Sequence, residues 1–99
     1  MKEVFMVHII LPDVFTSGFY ELIPQHKARI NDLLEKRILL NYSLDMQRKN
    51  IWAFIEAENI ADVKKLLRTI KISHEVKVHI HELAFHNAAP VALPDLIMN

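Results

Sequence analysis

Two short segments, residues 2–11 and 51–57, are apolar on both of their alternating sets of side chains. This constrains the fold more than any other feature of the chain. In the first, Val4, Met6 and Ile10 share one parity, and Phe5, Val7, Ile9 and Leu11 share the other. In the second, Trp52 and Phe54 alternate with Ile51, Ala53 and Ile55. Successive side chains of a strand point to opposite faces, so both segments need cover on both faces. Strands of that kind belong in the middle of a sheet. Pro12, which has no N–H to give to a ladder, closes the first.

The remaining segments carry other periods. Phe19, Leu22, Ile23, Ile30, Leu33, Leu34 and Ile38 recur at helical spacing, with charged residues mostly elsewhere. Thr16 or Ser17 is placed to cap that helix. Pro24 interrupts the pattern, so the expectation is a short helical turn running into a longer helix. Residues 41–47 alternate, with Tyr42, Leu44 and Met46 set against Ser43 and Asp45, and read as a strand with one wet face. Asn59 is the N-cap of a second helix, whose stripe is Ile60, Val63, Leu66, Leu67 and Ile70. Residues 71–85 close with a strand in which Val76, Val78 and Ile80 oppose Lys77, His79 and His81.

The order β-α-β-β-α-β is the split βαβ, ferredoxin-like α+β arrangement. Right-handed crossovers give an antiparallel four-stranded sheet of order 4-1-3-2, with both helices on one face. The two strands apolar on both sides then fall at the centre. The opposite sheet face is left as an apolar patch that a second copy would cover, so a homodimer is expected, its two sheets facing each other. The domain is read as residues 1–87, and residues 88–99 as a tail packing on the domain or its partner.

Twelve basic and twelve acidic residues cancel in this 99-residue chain. The clustered positive charge of a nucleic-acid binder is missing. No apolar run approaches the ~20 residues needed to span a bilayer, and no signal-peptide pattern opens the chain. The absence of cysteine excludes disulfides, thiolate metal sites and a Cys nucleophile. These features together are read as a cytoplasmic protein. One glycine cannot build a phosphate-cradling loop.

Three segments, FMVHIILP (5–12), YSLDMQRKNIWAFIEAEN (42–59) and IHELAFHN (80–87), resemble the muconolactone δ-isomerase-like branch of the dimeric α+β barrel proteins. The resemblance runs over residues 1–87 in segment order and spacing. It implies a barrel of two copies, within a larger ring in the isomerases themselves. It also implies a double-bond shift by proton transfer, with no metal or organic cofactor. Where the isomerases carry prolines and aromatics before the last strand, this chain reads IKISHEVK (70–77), and the substrate is left open.

Six histidines are the most suggestive excess, because imidazole shuttles protons near neutral pH. The catalytic candidates are His26 and His86, with Glu21 and Glu56 as carboxylates able to take a carbon-bound proton. His26 lies beside the first helix's apolar stripe, where it would line a cavity between helix and sheet opposite Trp52 or Phe54. His86 lies in the FHN segment of the resemblance. Glu56 has a plainer role as an ion-pair partner of Arg48 or Lys77. Asp45 is a further acid of interest. The ligand-binding candidates are His8, Tyr20, Tyr42, Trp52 and Phe54. His79 and His81 stand ~7 Å apart on one strand face. No third ligand is visible in the sequence, so no metal site is assigned to them. His74 is expected to face solvent. Three classes result: an isomerase-like enzyme, a dimeric module that binds a metabolite or only assembles, and a haem- or oxygen-handling barrel.

Overall fold

A computed structural model describes residues 2–70 and 76–89. Its elements run β1 (Glu3–Ile10), α1 (Ser17–Glu35), β2 (Leu39–Leu44), β3 (Asn50–Ala57), α2 (Ile60–Arg68) and β4 (Lys77–Glu82). The four strands form one antiparallel sheet in the order β2-β3-β1-β4. This is the ferredoxin-like topology, and β1 and β3 are central as their two-sided apolar character requires. His74 and residues 90–99 of the tail lie outside the described residues.

The register sorts the side chains onto two faces. Phe5 stands opposite Ile55, Val7 opposite Ala53 and Ile80, and Ile9 opposite Ile51 and Val78. Phe5, Val7, Ile9, Ile51, Ala53 and Ile55 are buried beneath the helices, Ile80 packs at their edge, and Val78 is exposed. Phe5, Val7, Leu39, Ile51 and Ile55 join Phe19, Ile30, Leu33, Val63 and Ile70 in one buried cluster. The other face carries Met6 opposite Phe54 and His81, and His8 opposite Trp52 and His79. Among the described residues no helix covers that face, and Trp52 is 39% exposed on it.

Both helices begin on side-chain caps, which supply an acceptor to an otherwise orphaned N–H. Thr16 accepts from the Phe19 amide, and Asn59 from that of Asp62. The break expected at Pro24 does not occur: α1 is one continuous helix with Pro24 inside it. Pro24 is exposed, and so is Tyr20, whose carbonyl loses its usual partner. The helix ends at Glu35 with Lys36 as its cap, and Arg37 just beyond adopts a left-handed φ of 58°. The Ile38 amide then reaches back to the Leu33 carbonyl, and the Arg37 amide to that of Leu34. This is a Schellman closure made without glycine.

Strand β2 starts two residues earlier than its alternation suggests, because of a bulge between Leu39 and Asn41. The bulge switches parity, so Leu39 and Tyr42 both face the helices although they are three residues apart. The Asn41 side chain fills the irregularity by accepting from the Phe54 amide. The strand also ends earlier, because Asp45 turns the chain. Its carboxylate accepts from the Lys49 and Asn50 amides and from the Asn50 side chain. Arg48 occupies the left-handed position of this turn, with φ 59°. Among the described residues no helix is long and apolar enough to cross a membrane.

Candidate functional site

The bulge and the hairpin turn together open a cavity at one end of the helix-covered face. It has a volume of about 270 Å³ and lies between the first half of α1 and the strands β2 and β3. Leu11, Phe15, Phe19, Leu22, Ile23, Leu44 and Ile51 give it an apolar wall. Among the described residues its polar lining is His26, Tyr42, Lys27 and Arg48. No Asp or Glu lines it among the described residues. Phe15 and Phe19 stack with ring centroids 4.5 Å apart, so one wall is flat and aromatic.

His26 and Tyr42 form a chain of hydrogen bonds whose polarity can be assigned. His26 Nδ1 lies 3.0 Å from the Ile70 carbonyl oxygen, which can only accept, so Nδ1 carries a proton. In the neutral ring Nε2 is then bare, and the Tyr42 hydroxyl donates to it. Burial lowers the His26 pKa below the usual histidine value, opposed in part by the Ile70 carbonyl. Burial likewise pushes the Tyr42 phenol well above the ordinary tyrosine range. The pair is therefore a neutral imidazole and an intact phenol, half-buried beside the cavity. Lys27 and Arg48 are exposed at its rim, and neither forms an ion pair among the described residues.

The other candidates are placed elsewhere. His26 lines a cavity between helix and sheet, but its partner across the gap is Tyr42. Trp52 and Phe54 point from the opposite face. Glu21 is exposed on α1. Glu56 sits at the far end of β3, in a shallow groove with Glu58 and Asp62, and not beside Arg48. His86 packs edge-on against Phe54 on the open face, with ring centroids 4.8 Å apart. A relay of Glu21 or Glu56 with His26 or His86 is thus not assembled within the protomer. Tyr20 is 57% exposed beside Phe15 and Phe19 and does not line the cavity. Asp45 serves the hairpin turn, and its hydrogen bonds from Asn50 hold its pKa below the usual carboxylate value.

His8 belongs to a second constellation on the open face. Its ring stacks on Trp52 at 5.5 Å and 10°, and lies 6.1 Å from that of His79. Its Nε2 donates to the Asn50 side-chain oxygen at 2.8 Å, and Asn50 in turn donates to Asp45. His79 and His81 are exposed on the edge strand. Among the described residues no three His, Cys, Asp or Glu side chains gather to hold a metal ion.

Sequence reasoning found His26 and Tyr42 separately but missed their pairing, and it missed Lys27, Arg48, Phe15 and Phe19 as lining residues. The signal for Arg48 was present: a polar turn of Arg-Lys-Asn without glycine must put a non-glycine residue into the left-handed region.

No protein-family model matches this chain, and no curated protein does. Among solved structures it is similar to the uncharacterized protein TM1266 from Thermotoga maritima. The identity is 16%, the match covers 84% of this chain and 99% of that one, and the TM-score is 0.48.

Proposed function

We propose that the protein binds a small apolar carboxylate in the cavity under α1, as a cofactor-independent member of the muconolactone isomerase-like dimeric barrels. One observation carries the reading: an apolar cavity whose rim offers two cations and, among the described residues, no carboxylate. Its volume of about 270 Å³ lies just below the ~300–1,000 Å³ of drug-sized ligand pockets. A compact ring with one anionic group suits it, whereas a macrocycle such as haem does not. His26 also has both ring nitrogens engaged, which leaves none to ligate an iron.

A catalytic version of the reading is favoured by the His26–Tyr42 pair, two hydrogen-bonded proton-carrying groups that meet the cavity. They would take the place of the carboxylate–histidine relay. The dimer belongs to the same proposal. The uncovered face carries Met6, Trp52 and Phe54 at its centre, and two copies meeting there would remove them from water.

A panel of ring carboxylates and their neutral amides, titrated by calorimetry, tests the binding reading. The carboxylates should bind more tightly than the amides. Arg48→Gly keeps the left-handed turn and removes the guanidinium, and it should weaken carboxylate binding about tenfold or more, the scale of one charged hydrogen bond. Equal affinity for acid and amide would reject the reading. Muconolactone supplied at high protein concentration and followed by ultraviolet absorbance separates the two versions. Turnover supports an isomerase; binding without turnover leaves a metabolite-binding module.

A further inference from the structure

We propose that the cavity takes up a proton when it takes up a carboxylate, with His26 and Tyr42 acting as a two-residue donor switch. The proposal rests on the reading of the cavity as a carboxylate site and adds the state of the site to it. With His26 neutral, the Tyr42 hydroxyl proton is spent on His26 Nε2, and Tyr42 can offer a ligand only oxygen lone pairs. That state accepts hydrogen bonds and has nothing to give an anion. With His26 protonated, both ring nitrogens donate, one to Ile70 O and the other to Tyr42 Oη. The Tyr42 O–H is then released to donate into the cavity. One proton on His26 therefore reverses the hydrogen-bonding sense of the group that meets the ligand.

The charges around His26 fix when this happens. The groups facing it are Tyr42 from β2, the Ile70 carbonyl after α2, Arg48 from the hairpin turn and Lys27 from its own helix. Arg29, further along α1, is committed to Asp32 and Thr69. No acid lines the cavity among the described residues, so none of those residues offsets a charged imidazole while the cavity is empty. Burial works in the same direction and lowers the His26 pKa. A bound carboxylate supplies the missing negative charge and accepts the released Tyr42 proton. A neutral amide of the same shape supplies no charge and gains nothing from the switch.

Calorimetric titration of the full chain with benzoate and with benzamide, at about pH 7 in buffers of different ionisation enthalpy, reads the proton directly. The expected result is uptake close to one proton per benzoate and close to none per benzamide. Benzoate affinity should fall about tenfold per pH unit above the free-state pKa of His26, since a linked proton must be supplied. His26→Gln should bind benzoate with no uptake and no such slope. If that variant fails to fold, the wild-type imidazole signals decide: benzoate should move the His26 ring resonances to their protonated positions and benzamide should not. Benzoate binding without proton uptake overturns the switch and leaves the carboxylate reading standing. No benzoate binding at all overturns both.

Discussion

Replacing Trp52 by Ser tests whether the open sheet face is an interface between copies. Trp52 stands at the centre of that face, stacked on His8 and 39% exposed. Taking ~250 Å² for a whole indole side chain, roughly 100 Å² is left in water per protomer. At about 25 cal/mol per Å², covering it is worth roughly 2.5 kcal/mol per copy. A two-fold pair uses the same patch twice, so the pair gains about 5 kcal/mol from this residue. Truncation should therefore weaken the dimer by roughly 10³-fold or more. Sedimentation equilibrium over a dilution series reads the change. The wild-type chain should show twice its 11.6 kDa protomer mass, and the variant should dissociate at the same concentrations. Trp52 lies outside the buried cluster, so the variant should keep its far-ultraviolet circular dichroism. An unchanged dimer constant, or a wild-type protein at protomer mass throughout, would refute the reasoning about this face.

Other consequences concern the protomer. Leu33, fully buried beneath both layers, should cost about 2–5 kcal/mol when cut to Ala, read as a lower urea midpoint at unchanged slope. Arg37→Gly should raise stability by about 0.5–1 kcal/mol, because glycine enters the left-handed position of the Schellman closure without a Cβ penalty; a lower melting temperature would contradict that account of the helix end. Stability should also depend on pH through His26. Its folded pKa lies below the unfolded 6.5, so the unfolded chain binds more protons in that range. The contribution is complete above 6.5, shrinks as pH falls below it, and levels off beneath the folded pKa. Urea melts of the wild type and His26→Gln should converge toward acid, and parallel curves would remove His26 as the cause.

The sheet order was legible because it rests on a period of two and on which strands are apolar on both parities. Which parity meets the helices was not legible, because Phe5 and Met6, or Ile51 and Trp52, are equally apolar candidates for it. Helix continuity through Pro24 was not legible, since it depends on whether the freed carbonyl of Tyr20 meets water. The start of β2 was hidden by the bulge at Leu39 and Asn41. That bulge also decides that Tyr42 looks toward α1, and so decides the site. His26 was legible as a cavity residue from its position beside the apolar stripe. Its partner was not, because the azimuth of α1 over β2 is set by packing across the whole core and by no local pattern. Trp52, Phe54 and His86 drew attention as aromatic and titratable groups, but strand parity sends them to the face away from the cavity.

The proposal that the cavity under α1 binds a carboxylate is tested most directly by amide spectra of the isotopically labelled chain recorded as benzoate is added. Saturable shifts gathered at Ile23, His26, Tyr42, Leu44 and Arg48, with Trp52 and His79 unmoved, are the expected result. Shifts gathered instead around Trp52 and His79, or none at millimolar benzoate, would contradict it.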